Sequence, residues 1–406
     1  MVAVIGTICL LTAQIYKLER PADLVQQKNN HSDTSTTHFL IANLTAKFSI
    51  DWQCKLEDDI TAWQLVESWM TSRQITDSSN IKLGCVLKAM QNGKITHTDA
   101  GVKGTQLKLS VTLEGTQMTV FKPKVYNSDF IMVGTPYAGK DRHYAEIAAF
   151  HLNRIIELNK VPLVVGRKVD LESEIRTTAH QNLLKTFYYK NGNTCFYGKC
   201  HYCRGPKTGV CGNNAILEGS LTLWLPDSYS LSQPLPHPWR RTYRETKPAV
   251  WERDQEHCKT VKGTRPYEMP PRLLDLIDIS IFDFLISNAD RHHIETFEYS
   301  RDSIVVALDN GKSFGNPYVD EESILAPLYQ CCVLREATYN RLSKLKNGVL
   351  GQVLFNVLKN EPLAPILTPQ HYVAVDRRLT VIFNKIDYCF THSGGKQTVL
   401  IDDGYT

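Results

Sequence analysis

Excess charge of either sign is nearly absent from this sequence: 46 Lys and Arg stand against 42 Asp and Glu among 406 residues, a formal net charge of +4. So small an imbalance gives no bulk attraction to polyanions, and no nucleic-acid partner is expected. Long apolar runs are lacking as well. Met1–Tyr16 is apolar except for Thr7, Thr12 and Gln14, but its 16 residues fall short of the roughly 20 that a membrane span needs. No side-chain charge lies within it, and no basic residue precedes it. It fits a signal-peptide core or a short signal anchor; a retained anchor is the expectation, and an ordinary N-terminal core strand is the plain alternative. With 42% hydrophobic, 22% charged and 9% aromatic residues, nothing marks a disordered or fibrous chain. The length suits one large domain or two lobes.

Cysteine, by contrast, is plentiful. There are 11, an odd number, and Cys9 inside the leading apolar segment stands apart from the other ten. Residues 17–50 are largely polar, without strong periodicity, and are expected to form a flexible luminal stem. Two acceptor sequons fall there, Asn30-His31-Ser32 and Asn43-Leu44-Thr45, each weak by itself. A signal segment, a polar stem, sequons and an even remainder of cysteines agree on the secretory pathway, with membrane contact only through the N-terminal segment. Cys195, Cys200, Cys203 and Cys211 place four thiols within 17 residues. Two local disulfides are the reading in an oxidising compartment, and a zinc knuckle is the alternative. The adjacent Cys331 and Cys332 do not readily bond each other and are expected to reach distant partners such as Cys258 and Cys389.

Residues 51–98 read as an N-terminal helical extension, with Trp63, Val66, Trp69 and Met70 as an apolar stripe. A β texture follows: Leu107, Leu109, Val111 and Leu113 alternate, Glu114-Gly115 turns, and Met118–Phe121 returns, ending in Lys122 before Pro123. Such a lysine is ordinarily a solvated edge residue; the alternative is a phosphate clamp beneath a glycine-containing loop. Asp141–Leu158 predicts a helix burying Ala145, Ala149, Leu152 and Ile156, capped by Asp141, with Glu146 beside the apolar face. A surface ion pair is the ordinary role for Glu146. After a lysine-bearing strand, a Lys–Glu pair that positions phosphates is the other.

The strongest stretch is Arg272–Gly315. A buried helical face (Leu273, Leu274, Ile277, Ile281, Phe284, Leu285) runs into Asn288-Ala289-Asp290-Arg291-His292-His293-Ile294-Glu295, and an apolar strand, Ile304–Leu308, delivers Asp309-Asn310-Gly311. Asn-Gly is also a plain turn. Yet two aspartates 19 positions apart, one on a loop after a buried helix and one ending a buried strand, form the kinase arrangement. The first takes a hydroxyl proton and the second holds the metal that bridges ATP phosphates. H-R-D and D-F-G are both absent, so the pattern is that of an atypical kinase.

These residues resemble a known family. Asp290-Arg-His-His-Ile-Glu295, Leu308-Asp-Asn-Gly-Lys-Ser-Phe-Gly315, Cys195-Phe-Tyr-Gly-Lys-Cys200 and Ala145-Glu-Ile-Ala-Ala-Phe-His-Leu152 are similar to motifs of the Golgi and secretory-pathway kinases, the secreted casein kinases and xylosylkinases. The likeness spans roughly residues 100–390 in consistent order. Gly219–Asp227, Asn288–Asp290 and Ser313–Cys332 point to its xylosylkinase branch. The resemblance implies an α+β, two-lobed, protein-kinase-like fold: a β-rich N-lobe with hinge at 99–225, a helical C-lobe at 226–390 and a tail at 391–406. It implies Asp290 as catalytic residue and Glu146 and Asp309 as metal ligands. Gln106, Lys122, Glu295 and the hinge residues Thr222, Leu223, Trp224 and Leu225, with Asp309, would form the nucleotide site. ATP and Mn2+ (Mg2+ as alternative) are the implied cofactors. The implied acceptor is the xylose 2-hydroxyl of galactosyl-xylose on proteoglycan core proteins, in the Golgi lumen or after secretion. A related pseudokinase or a second copy would be its protein partner. The disulfides implied are Cys195–Cys211, Cys200–Cys203, Cys258–Cys331 and Cys332–Cys389, leaving Cys54 and Cys85 for each other. Aromatic crowding at 196–251 (Tyr197, Tyr202, Trp224, Tyr229, Trp239, Tyr243, Trp251) suits stacking on sugar faces, although any one ring more often packs the core. Two other functions fit the same site: a secreted serine kinase for acidic motifs, using Arg240, Arg241, Arg244 and Arg253, and a pseudokinase activator, which the presence of all three acids disfavours.

Overall fold

The computed structural model describes residues 31–56, 60–101, 104–244 and 246–405, so the apolar segment 1–16, Cys9 and the Asn30 sequon position lie outside the described residues. The chain divides after Leu40, and the body from Ile41 onward carries the site. No helix among the described residues is long and apolar enough to cross a membrane. Part of the expected stem is helical: α1 runs from His31 to Phe48. It has no apolar stripe to announce it, and its end is fixed by tertiary contacts instead. Phe48 is fully buried, its carbonyl accepts a hydrogen bond from Arg154 Nη2 at 3.1 Å, and Lys47 pairs with Glu157 at 2.7 Å.

In the extension, α2 (Ala62–Trp69) starts on a reciprocal cap between Thr61 and Gln64 and buries Val66 and Trp69. The next helix, α3 (Leu83–Asn92), is tied back to the segment between α1 and α2 by Cys54–Cys85. Strand β1 (Ile95–Ala100) already belongs to the sheet, so the N-lobe begins earlier than the expected residue 99. Ile95 and Ala100 are its only apolar residues, and a register irregularity between Ile95 and His97 breaks the alternation. Five antiparallel strands follow the order β1, β2 (Leu109–Leu113), β3 (Gln117–Pro123), β8 (Ile216–Leu223), β4 (Val164–Asp170). Leu109, Val111 and Leu113 point inward as their spacing predicts. A small sheet of β5 (Phe187–Lys190), β6 (Asn193–Phe196) and β7 (Val210–Cys211) is cross-linked by Cys195–Cys211.

Helix α4 (His143–Ile155) packs on β4 and β8, and every one of its residues is buried, not only the expected face. Small side chains at Ala145, Ala148 and Ala149 allow cover on more than one side. In the C-lobe, α5 (Pro270–Ile286) is buried almost throughout. Against it pack α6 (Ala326–Cys331) and a later helix, Pro369–His392 (α8); α7 (Val349–Leu358) packs on α8 and on α4. Cys331 and Cys332 reach Cys258 and Cys389 respectively, and Cys200 pairs with Cys203, so all four disulfides implied by the resemblance are present.

Asp275 and Asp278, about one turn apart on α5, are the centre of a buried charge network. Lys160 Nζ lies 2.8 and 3.1 Å from them, and Arg335 bonds both. Arg73 adds a fork to Asp275. Asp403 joins Arg335 at 2.8 Å, and Tyr405 lies under the Arg73 guanidinium at 4.2 Å. Leu400–Ile401 pairs with Leu334–Arg335, so much of the stretch expected as a tail is packed into the C-lobe. Burial alone would raise the Asp275 carboxyl, but Lys160, Arg335 and Arg73 hold it at about 2, below its ordinary 3.8. That stabilisation is complete above the ordinary value and is lost as pH falls from about 4 towards 2. Removing Arg335 leaves Asp403 without its cation and Asp278 with Lys160 as its remaining one. Arg335→Ala is expected to cost about 3–5 kcal/mol in denaturant unfolding at neutral pH.

Candidate active site

The lysine that ends the β2–β3 hairpin is not a solvated edge residue. Lys122 is buried at 7% exposure, and three carboxylates converge on its Nζ: Glu146 at 2.5 Å, Asp309 at 2.5 Å and Asp141 at 3.0 Å. Strand β3 supplies the lysine, α4 the glutamate, and the segment after the C-lobe core the second aspartate. Burial works to lower the Lys122 ammonium, but Asp141, Asp309 and Glu146 outweigh it and hold it well above the ordinary lysine value. Burial pushes the Glu146 carboxyl up, with Lys122 opposing. Lys122 holds Asp309 well below the usual carboxylate range. Glu146 is 4% exposed and Asp309 68%, so Asp309 is the oxygen donor open to solvent.

Asp309 has φ of +56°, an uncommon conformation for a non-glycine residue, though one that aspartate adopts more readily than most. Neighbouring bonds fix it: Asn310 N–H donates to Glu146 Oε2 at 3.3 Å, and Asn310 Nδ2 to the Ala307 carbonyl. Ile304–Ala307 is buried as expected and Leu308 half-buried, but the segment makes one bridge, Val306 to Glu295, and forms no regular strand. Between the two aspartates, Arg291 forks onto Asp283 at 2.7 and 2.9 Å, reaches Asn310 Oδ1 at 2.8 Å and bonds the Leu308 carbonyl. One guanidinium thus sets the distance between the loop carrying Asp290 and the turn carrying Asp309.

Asp290 follows the left-handed Ser287 that ends α5 and is half-buried. Burial raises its carboxyl, while the Tyr243 hydroxyl, donating to Oδ1 at 2.6 Å, and His292 lower it. Glu295 is half-buried on the same loop, and burial raises it too. A cavity of about 300 Å³ is lined by Gln106, Lys122, Lys140, Asp141, Tyr202 and Lys312, among others. Gln106 and Lys122 thus share one cleft. Thr222–Leu225 does not line it. Thr222 and Leu223 end β8, and the Trp224 N–H is bonded to the Met118 carbonyl at 3.0 Å.

Asp141 was placed by its sequence position as a helix cap; the cap position belongs to Arg142, and Asp141 turns to Lys122. The visible trace of this is Gly311, where an added Cβ would lie 2.8 Å from the Asp141 Cβ. Arg291 and Tyr243 also escaped assignment, since neither carries a mark beyond nearness or aromatic crowding. That crowding divides: Trp239 and Trp251 are core residues, while Tyr243 bonds Asp290 and Tyr202 lines the cleft. Carboxylate oxygens are the donors a hard divalent cation takes. Among the described residues no three Asp, Glu, His or Cys side chains are arranged as a metal cage, and Lys122 balances the charge here.

An antiparallel sheet with a buried Lys–Glu pair, joined to a helical lobe presenting two aspartate-bearing loops, defines a protein-kinase-like fold. The family described as Golgi casein kinase, C-terminal, Fam20 matches residues 61–398, and the chain belongs to it. It is 48% identical over 375 residues to human glycosaminoglycan xylosylkinase, covering 92% of this chain and 90% of that protein. It is similar to the structure of hydra Fam20 with sugar, with a TM-score of 0.82 and 48% identity over 85% of this chain and 99% of that one. It is also similar to the Golgi casein kinase with Mn/ADP bound, with a TM-score of 0.81 and 30% identity over 96% of each chain. The family and fold class indicated by the motifs are those found.

Gly311→Ala tests the seat of Asp141. Forcing the two apart is expected to destabilise the protein by about 1–3 kcal/mol, read as a lower midpoint in chemical unfolding.

Proposed function

We propose that this chain is an ATP- and metal-dependent glycan kinase that transfers the γ-phosphate to the 2-hydroxyl of xylose in the proteoglycan glycosaminoglycan linker. The observation that carries this is the convergence of Glu146, Asp309 and Asp141 on Lys122, with Asp290 held nearby through Arg291. Three carboxylates against one ammonium leave a formal deficit of two positive charges at this point, which suits a divalent cation. Glu146 and Asp309 would hold Mn2+, with Mg2+ as the alternative. Such an ion neutralises polyphosphate charge as the phosphoryl group moves. Lys122 contacts donor phosphates, and Gln106, Glu295 and Thr222–Leu225 complete the nucleotide site. Asp290 takes the acceptor hydroxyl proton; Tyr243 orients its carboxylate and keeps it ionised to lower pH.

The 48% identity to a glycosaminoglycan xylosylkinase and the likeness to a sugar-bound relative support galactosyl-xylose as acceptor. Five disulfides support work in the Golgi lumen or beyond, as a type II anchored or a secreted protein. A related pseudokinase or a second copy is the proposed protein partner. The serine-kinase reading is weakened at one point of its basic groove: Arg241 is already engaged by Ser323 and Glu321.

The assay offers purified protein, ATP and Mn2+ to galactosyl-xylose or to an acidic Ser-containing peptide. Phosphate on the sugar is expected, and phosphate on the peptide alone would overturn the acceptor. Asp309→Ala should abolish transfer, and Asp290→Ala should lower kcat by about 10²–10⁴-fold. Tyr243→Phe removes a hydrogen bond that lowers the Asp290 carboxyl. The acidic limb of kcat/KM against pH should therefore move to higher pH.

A further inference from the structure

The cleft has one wall that the proposed phosphoryl transfer does not call for. Cys200, Tyr202 and Cys203 line it together with Gln106, Leu107 and Lys122. They belong to the connection between β6 and β7, closed on itself by the Cys200–Cys203 disulfide and a Cys203 N–H to Cys200 carbonyl bond at 3.1 Å. The β6–β7 connection touches the 104–107 loop twice. The Tyr202 N–H donates to the Thr105 carbonyl at 3.2 Å, next to Gln106. Gly198 packs so closely on Leu107 that an added Cβ would stand 2.5 Å from its Cδ1. Lys140 and Lys312 line the same cavity, beside Lys122 and its partner Asp141.

The bond is poorly placed for global stabilisation. It spans 3 residues where Cys258–Cys331 spans 73, and the constraint a disulfide puts on the unfolded chain grows with the loop it closes. Its effect is local.

We propose that the Cys200–Cys203 clip, with Tyr202 between its ends, is a positioning lid that holds the 104–107 loop over the phosphate end of the donor cleft and so sets nucleotide affinity. This rests on the kinase reading above. Without the clip, Thr105 and Gln106 must be ordered by the nucleotide itself, which spends binding energy on loop entropy.

The test titrates the full chain with the fluorescent nucleotide mant-ADP in the presence of Mn2+. Two variants accompany the wild type: C200S/C203S, and Gly198→Ala, which keeps both cysteines and presses on Leu107 Cδ1 and, at 3.2 Å, on Cys203 Sγ. Both are expected to bind about three- to ten-fold more weakly, the cost of ordering one or two loop residues. Unfolding midpoints should stay within about 2 °C of wild type. KM for ATP should rise while KM for galactosyl-xylose stays unchanged. Wild-type affinity in both variants overturns the lid. So does an affinity loss confined to C200S/C203S with a lowered midpoint, which assigns the clip to stability. Absence of nucleotide binding by the wild type overturns the donor reading, and the lid with it.

Discussion

One buried ammonium holds this site together. Lys122 is taken out of water on a sheet strand, and such a charge persists only if its partners come to it. They come from widely separated parts of the chain: Asp309 is 187 positions away in sequence. The position of α4 against the sheet, the left-handed backbone at Asp309 and the absent side chain at Gly311 all serve this meeting. The Arg291 fork continues it, so that Asp290 is set relative to the same point.

Much of the site was legible because phosphoryl transfer uses charged residues in a fixed chain order. Lys122, Glu146 and Asp309 each had a bland alternative, and only their succession with Asp290 favoured chemistry. The motif resemblance then gave the family, and four of the disulfides with it. Asp141 was not legible, because an aspartate before a helix is so commonly a cap that its turn towards a lysine leaves no local trace. Nor was β1, whose Ile95 and Ala100 are too few to show alternation. The helix over His31–Phe48 was read as stem because helical hydrogen bonds are local and need no apolar stripe, whereas its anchor at Phe48 lies in the distant Arg154. Tyr243 and Arg291 are ordinary residue types that acquire their roles only through folding.

The aromatic residues of 196–251 show why composition alone could not find an acceptor surface. Trp239 and Trp251 spend their N–H groups inside the protein, on Gln330 and on the Arg240 carbonyl. Tyr243 has a ring packed edge-on against Tyr137 at 4.7 Å and a hydroxyl on Asp290. Identical chemistry in neighbouring positions is thus divided between packing and the reacting centre by burial.

The pairing of Arg335 with Asp403, and of Arg73 with Tyr405, ties residues 400–405 into the buried charge cluster around Asp275 and Asp278. Trimming those residues would leave every group of the active centre in the chain and yet strip partners from its innermost charges. Loss of activity in such a variant would then report on packing and not on missing chemistry.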